Sequence, residues 1–279
     1  MNILALFDMD ATLLTDEKEI TPENLRLLRE AYEKYGVQIA LATARTSAIA
    51  EGFAREIGEA CRYVMCANGA IVRDMTTGEY IHDKSIPLDT MRKIIEFCNR
   101  SGLSYMVMSP EARYFPPEYK YIQDADKFMV KKFPNAIRFV PDVDKYALDP
   151  DTKRLLCCVL GTEEDLLTNY DELKGISGLF IARLSYFGDP VKYPASAYFD
   201  IMGEDVHKAT AMAKIIEHSG CNMTVAFGDG CNDVEMITAA DFGFAMRNAD
   251  PALMDLAGAV TMQDNNNSGA GRALISFLK

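Results

Sequence analysis

The sequence predicts an α/β protein in which a doubly wound, largely parallel sheet is interrupted by an inserted α+β unit. Three observations carry that prediction. From Asn2 to about Ala70, apolar runs of strand length alternate with helical patterns in the order β-α-β-α-β. At about Lys84 this alternation gives way to an amphipathic helix, several strands and a Tyr-, Pro- and Lys-rich stretch. The alternation returns near residue 190 and continues to the C-terminus. The expected division is therefore 1–83 and 190–279 for the core, and 84–189 for the insert. A length of 279 residues exceeds a typical single domain and agrees with two units.

Each element has its own signal. Asn2-Ile3-Leu4-Ala5-Leu6 is an apolar run suited to a strand buried on both faces, and it leads into Phe7-Asp8-Met9-Asp10-Ala11-Thr12-Leu13-Leu14. Thr21-Pro22-Glu23 supplies an N-cap, a Pro at the first helical position and a first-turn acid. Leu25, Leu28, Ala31 and Tyr32 then recur at helical spacing until Gly36. Val37 to Ala42 is a second strand, and Thr43-Ala44-Arg45-Thr46 opens a helix reaching about Ile57. Tyr63 to Cys66 is a third strand ending in Ala67-Asn68-Gly69-Ala70. Ile71-Val72-Arg73 and Tyr80-Ile81-His82 flank a Met75-Thr76-Thr77-Gly78 turn and read as a hairpin.

In the insert, Leu88 to Arg100 is an amphipathic helix built on Met91, Ile94, Ile95 and Cys98. Leu103 to Met108, Arg154 to Leu160 and Leu179 to Tyr186 are strands, and Thr162 caps a helix reaching about Lys174. The stretch from Tyr114 to Lys145 carries no clear pattern. Gly188-Asp189-Pro190 marks the exit, and Ala197 to Ile201 is expected to resume the core. A helix follows Lys208, built on Ala211, Met212, Ile215 and Ile216. Thr224 to Phe227 is a strand leading into Gly228-Asp229-Gly230-Cys231-Asn232-Asp233. Glu235 to Ala240 is helical, Phe242 to Ala245 is a strand, Pro251 opens a helix, Ala259 to Thr261 is a last strand, and a helix from Gly271 to Leu278 closes the chain.

Composition excludes several classes. No apolar run approaches the roughly 20 residues of a membrane span, and no leader pattern opens the chain, so a cytoplasmic protein is expected. Seven Cys without a CxxC suit reduced, mostly buried thiols. A net charge of −12 argues against a nucleic-acid surface and repels anionic substrates at long range. Any phosphate site must therefore be made attractive locally, by a metal ion, a Lys and backbone N–H groups.

The chemistry concentrates at strand ends. Ligands of an open parallel sheet bind beyond its C-terminal edge. Two carboxylates at the end of a buried strand are costly to desolvate unless cations or protons compensate them. Asp8 and Asp10 are i and i+2, so both can point to one side as the strand ends. Asp8 is a candidate nucleophile toward phosphorus, and Asp10 a candidate for moving the proton. Alone the pair is a weak sign, since an ordinary turn has the same composition. Thr43 at a helix start offers a hydroxyl and N–H groups to an anion, although a plain Thr cap reads the same way. Lys208 alone reads as a solvated lysine. Together with Asp229 and Asp233 these residues form an acid pair, a hydroxyl, a cation and a second acid cluster in fixed order. Such an oxygen-rich cluster suits a hard divalent cation, with Mg²⁺ the best match beside a phosphate.

These motifs, in this order, resemble those of haloacid-dehalogenase (HAD) superfamily phosphatases of the Cof type. The resemblance rests on Asp8-Met9-Asp10-Ala11-Thr12, Thr43, Lys208 and Gly228 to Asp233. Asn68-Gly69-Ala70, Asn248-Ala249 and Asn267-Ser268-Gly269 add further landmarks. Two positions depart from it. Ala11 and Ala44 stand where relatives usually carry Gly, which adds methyl groups at the phosphate mouth.

The resemblance implies a Rossmann-like core with an inserted α+β cap. It implies a Mg²⁺-dependent phosphatase acting on small phosphomonoesters: sugar phosphates, nucleotides or phosphorylated cofactors. Asp8 forms an aspartyl-phosphate and Asp10 serves as acid and then base. Asp8, the Asp10 backbone carbonyl and Asp229 bind the metal, while Thr43, Ala44, Lys208 and Asn232 hold the phosphoryl group. Asp233 and Asn68, with Asn232, orient that shell. His207 is expected to cap or pack, and Cys231 carries no redox role. Tyr114, Phe115, Tyr119 and Tyr121 are expected in the cap core, and Arg113 and Arg183 are substrate contacts or solvated surface. The expected partner is a small phosphorylated metabolite, with no nucleic acid and no membrane, for a monomer or small homo-oligomer. A phosphomutase or phosphotransferase on the same core and a receiver-like phosphoacceptor that does not hydrolyse remain as alternatives.

Overall fold

The computed structural model describes residues 2–121, 131–186 and 191–279. The chain divides into two compact units, Met1–Asp83 with His207–Lys279, and Lys84–Val206. In the first unit the strands are β1 (Ile3–Asp8), β2 (Gln38–Ala42), β3 (Cys61–Cys66), β4 (Ile71–Asp74) and β5 (Tyr80–Asp83). The second unit contributes β6 (Ser104–Met108), β7 (Arg113–Phe115), β8 (Ile137–Phe139), β9 (Leu156–Gly161), β10 (Leu179–Tyr186) and β11 (Ala197–Gly203). The chain returns with β12 (Met223–Gly228), β13 (Phe242–Ala245) and β14 (Ala259–Val260).

The first unit is one eight-stranded sheet in the order β14-β13-β12-β1-β2-β3-β4-β5. It is parallel from β14 to β3 and antiparallel at the β4–β5 hairpin. Every residue of β1 is buried, as its unbroken apolar run requires of a central parallel strand. Its neighbours β2 and β12 lie on either side, so the chain ends that follow all three emerge at one edge. That edge is where Asp8, Thr43 and Asp229 sit.

Helix α1 (Pro22–Tyr35) starts as the sequence foretold, with Thr21 Oγ1 accepting from Asn24 N and Gly36 closing it at φ +68°. Its buried face differs from the expectation. Asn24, Leu27, Leu28 and Ala31 point inward, while Leu25 is half-buried and Tyr32 is exposed. Asn24 takes the inward place because its carboxamide has two partners there. Its Nδ2 donates to Leu13 O and its Oδ1 accepts from Gly271 N. Helix α2 (Ser47–Ile57) begins after Thr46, so Thr43 to Arg45 form the bridge between β2 and the helix rather than its first turn.

The second unit is a six-stranded sheet in the order β10-β11-β9-β6-β7-β8, antiparallel except for β7 with β8. Its core gathers Ile94, Phe97 and Cys98 of helix α3 (Leu88–Ser101) with Tyr114, Cys157, Phe199 and Ile201. Tyr114, Phe115 and Tyr119 are buried within this unit, as expected of cap core. One expectation is corrected here. The first unit's leading segment ends at Asp83 and its second begins at His207, where the sequence places the return at residue 190. The reason is strand β11, which pairs with β9 and β10 of the insert and, among the described residues, with no strand of the core. The expected exit at Gly188-Asp189-Pro190 and the side chains of Tyr121 and Arg183 lie outside the described residues. Among the described residues no helix is long and apolar enough to cross a membrane. All seven cysteines are free thiols, six of them buried.

Candidate active site

The site grows from the end of β1. The strand stops at Asp8, and residues 9–13 form one wide turn closed by Leu14 N donating to Met9 O at 2.8 Å. Such i→i+5 turns recur where function needs a backbone deflected. Within it Ala11 sits at φ +55°, the left-handed region that suits glycine. Three carboxamides hold this turn by its carbonyls. Asn248 Nδ2 donates to Ala11 O at 2.7 Å, Asn24 Nδ2 to Leu13 O at 3.3 Å and Asn265 Nδ2 to Leu14 O at 3.0 Å. The turn adopts its conformation with Ala in place of Gly, and Thr12 Oγ1 reaches across to Asp229 Oδ1 at 2.9 Å.

Lys208 is the first residue of helix α7 (Lys208–Ser219; helices α4–α6 are Asp144–Ala147, Glu163–Thr168 and Tyr170–Lys174), which His207 caps through its ring nitrogen. The lysine is wholly buried. Its Nζ donates to Asp8 Oδ1 at 2.5 Å and to Asp233 Oδ1 at 2.6 Å. The other oxygen of Asp233 accepts from the Asp229 and Gly230 amides, both at 3.0 Å. Asp233 packs so closely under the strand end that a Cβ on Gly228 would lie 2.5 Å from its Cβ, which is why glycine opens that motif. Asp233 is therefore engaged at both oxygens and holds the loop that carries Asp229.

Asp8, Asp229 and Asp233 each place an oxygen within 4.8 Å of the others. One ammonium serves three carboxylates, and the imbalance shows in their proton affinities. Burial pushes the Asp8 carboxyl well above the ordinary range. Lys208 opposes the shift, and Asp233 and Asp229 add to it. Asp229 is pushed up to about 6, by burial and then by Asp233. Burial by itself would lower the Lys208 ammonium, but Asp233 and Asp8 more than reverse it. An oxygen-only donor set with a surplus of negative charge fits a hard divalent cation such as Mg²⁺. Asp8 and Asp229 suit direct ligation, and Asp233, engaged at both oxygens, suits a supporting place.

Asp10 behaves differently. Sequence spacing placed its carboxylate on the side of Asp8, but the strand ends at Asp8, so the period-two rule stops there. Its carboxylate instead meets Arg45, with Nε to Oδ2 at 2.6 Å and Nη2 to Oδ1 at 2.5 Å, and Lys18 Nζ lies 2.9 Å from Oδ1. Burial raises this carboxyl, but Arg45 and Lys18 outweigh it and hold it below the usual range. With the side chain so engaged, any metal contact by Asp10 falls to its backbone carbonyl.

The remaining expected residues converge on the same edge. Thr43 is buried, its amide continues the ladder to Met65 O at 2.9 Å, and its Oγ1 accepts from Arg45 N at 3.1 Å. Ala44, half-buried, lies between them. Asn68 at φ +57° accepts from Asn232 Nδ2 at 3.0 Å, joining the third strand end to the acid loop. Gly69 follows at φ +102°, where a Cβ would lie 2.7 Å from His207 O. Cys231 is exposed and none of these contacts involves its thiol. Thr12 was read only as the last residue of the first motif, and two further residues of the site, Lys18 and Arg45, were given no role from the sequence. Arg45 carried a usable signal, being a cation just before a helix N-terminus, where the dipole disfavours it. Lys18 carried none, because its partner is fixed only by the tertiary fold.

A sequence model for haloacid dehalogenase-like hydrolases matches residues 5–274. A 5-amino-6-(5-phospho-D-ribitylamino)uracil phosphatase of Bacillus subtilis is 26% identical, with 97% of this chain and 94% of that protein covered. A pyridoxal phosphate phosphatase of Escherichia coli is 25% identical, with 99% and 98% covered. The crystal structure of a haloacid dehalogenase-like hydrolase from Bacteroides thetaiotaomicron shares the fold, at a TM-score of 0.81 and 22% identity over 99% of each chain. With the acid pair, the threonine, the buried lysine and the second acid cluster assembled at one sheet edge, the chain belongs to the haloacid dehalogenase-like hydrolase family.

Proposed function

We propose that this hydrolase is a Mg²⁺-dependent phosphatase of small phosphomonoesters that works through an aspartyl-phosphate on Asp8. One observation carries the reading: a fully buried ammonium, Lys208, fixed between Asp8 and Asp233 with Asp229 beside them. Burying a lysine against three carboxylates has little value for stability alone. It has value where a nucleophilic carboxylate must meet a dianionic phosphoryl group, because the cation is already in place when charge develops. The substrates named for the two relatives above are small phosphomonoesters, which supports the same class here.

Asp8 attacks phosphorus, and the bond to the leaving oxygen breaks as the Asp8–phosphorus bond forms. Lys208 and the Thr43 hydroxyl hold the phosphoryl oxygens during that transfer. Asp10, paired with Arg45 and Lys18 and ionised in the free protein, takes up a proton as substrate binds, gives it to the leaving alcohol and then takes one from the water that hydrolyses the acyl phosphate. Asp8 and Asp229 hold the Mg²⁺, with Asp233 keeping Asp229 in place through its two amides. When bound, the ion offsets the negative charge shared by the phosphoryl group and these carboxylates. The inserted unit, Lys84–Val206, supplies discrimination among leaving groups.

The test is direct. The protein with Mg²⁺ is mixed with p-nitrophenyl phosphate, and released phosphate and enzyme-bound phosphate are both measured. Turnover stops on chelation. Quenched Asp10→Asn protein carries phosphate that hydroxylamine removes, as an acyl phosphate requires, and Asp8→Asn protein carries none. Phosphate on any other residue, or turnover that survives exhaustive chelation, sinks the proposal. Transfer to a sugar hydroxyl in place of release to water identifies a phosphotransferase instead.

A further inference from the structure

Two of the loops that carry the site are tied together by a third that supplies none of its carboxylates. After β13 the chain runs Met246-Arg247-Asn248-Ala249-Asp250. Met246 N donates to Gly228 O and Asp250 N to Asp229 O, both at 2.9 Å, so this segment grips the acid loop by its backbone. Between those two bonds the Asn248 side chain crosses to the turn after β1, where its Nδ2 donates to Ala11 O at 2.7 Å. Its Oδ1 accepts from Asn265 N at 3.2 Å, which fixes the way the carboxamide faces. The segment is braced on its other side as well. Arg247 N donates to Thr261 Oγ1 at 3.0 Å, and the Asp250 carboxylate caps the helix Pro251–Leu256 by accepting from Ala252 N at 2.9 Å.

The bond to Ala11 O falls at a sensitive place. The Asp10 carbonyl belongs to the peptide that ends at Ala11 N, so its direction follows the φ of Ala11. At +55° that angle disfavours a Cβ, and an alanine left to itself relaxes to negative φ. Holding Ala11 O keeps the turn left-handed and with it the direction of the Asp10 carbonyl. The same segment holds Asp229 through its own carbonyl, so both loops are referred to one anchor. We propose that Asn248 is a positioning residue for the ion: through Ala11 O it sets the Asp10 carbonyl relative to Asp229, and so sets the affinity for Mg²⁺. The inference rests on the metal assignment in the phosphatase reading and deepens it.

The test titrates Mg²⁺ alone into metal-free protein by isothermal titration calorimetry, so that binding is read without turnover. Asn248→Ala is expected to raise the Kd for Mg²⁺ about tenfold or more, the scale of losing a group that orients a metal site. The Asn248 side chain is at the surface, and circular dichroism checks that the variant folds. In an Ala11→Gly background the same substitution costs a smaller factor, because glycine keeps the left-handed turn without the clamp. With p-nitrophenyl phosphate, the Asn248→Ala deficit is large at limiting Mg²⁺ and mostly recovered at saturating Mg²⁺. Equal Mg²⁺ affinity in wild type and Asn248→Ala overturns the inference. So does an equal factor lost in both backgrounds, since Asn248 then acts other than through the Ala11 turn, and so does a deficit in kcat that saturating Mg²⁺ leaves untouched. Each of these leaves the phosphatase reading standing. A wild type that binds no Mg²⁺ removes the metal from that reading and this inference with it. Mg²⁺ binding that depends on Asn248, in a protein that forms no phosphate on Asp8, keeps the inference and removes the aspartyl-phosphate.

Discussion

Replacing Lys208 with Met keeps most of the side-chain volume and removes the one ammonium that three carboxylates share. The residue is fully buried, and its partners Asp8 and Asp233 are 8% and 1% exposed at the side chain, so water cannot take over the lost contacts. Breaking a buried pair by removing one partner costs about 3–5 kcal/mol. At about 2–4 °C per kcal/mol for a domain of this size, the melting temperature falls by about 6–20 °C.

The loss also depends on pH, with a sign that follows from which groups move. In the wild type the Lys208 ammonium is held above its usual value, so its contribution is complete below about pH 10 and constant between pH 5 and 8. Asp8 is raised by burial and by its acidic neighbours, with Lys208 the main opposition. Without Lys208 it rises further. A carboxyl raised in the folded state adds stability while it is protonated and loses it as pH climbs from its unfolded value through its folded one. The Lys208→Met deficit is therefore smallest near pH 5 and largest near pH 8. Thermal unfolding of both proteins in EDTA at the two pH values measures it. Adding Mg²⁺ recovers part of the deficit at pH 8, because the ion brings positive charge to the same carboxylates. A loss under about 1 kcal/mol at pH 8, or one of equal size at pH 5, refutes the account of a charge cluster held by one lysine. The same variant loses about 10²-fold or more in kcat/KM, as removal of a transition-state donor does.

Two further outcomes follow from the backbone and the topology. Ala11→Gly at φ +55° relieves left-handed strain and raises the denaturant midpoint, with a gain of about 1 kcal/mol; a neutral or destabilising result means the Asn248 clamp sets that conformation at no cost. Excising 84–206 behind a short linker leaves all eight strands of the first sheet and a cooperatively folding core. Excising only 84–189 leaves Ala197–Gly203 with Phe199 and Ile201 stripped of their partners, and aggregates; equal behaviour of the two in size-exclusion and circular dichroism contradicts the boundary at His207.

What the sequence shows and what it conceals divide along a physical line. Strand ends were legible because parallel core strands are continuous apolar runs, as in Ile3–Phe7 and Ile39–Ala42, and the residue after such a run must lie at the ligand-binding edge. That is why Asp8, Thr43 and Asp229 come together in space as they were grouped in sequence. The misplaced boundary had a signal of its own. Ala197-Tyr198-Phe199-Asp200-Ile201 alternates, with Ala197, Phe199 and Ile201 turned into the insert core, and alternation marks a half-buried antiparallel strand, not a core parallel one.

The side chains that decide what Asp10 does were out of reach for a different reason. Lys18 and Arg45 stand 8 and 35 positions from it, on a turn whose anchors, Asn265 and Asn266, lie some 250 residues away, and on a bridge between a strand and a helix. Local pattern carries no information about such pairings, since neither cation changes the hydrophobic period of its segment. The residues gathered at the candidate site therefore sit where secondary structure ends, at positions that periodicity locates. Ala11 in its left-handed turn and the two cations on Asp10 sit in the loops beyond, where only the folded chain brings them together.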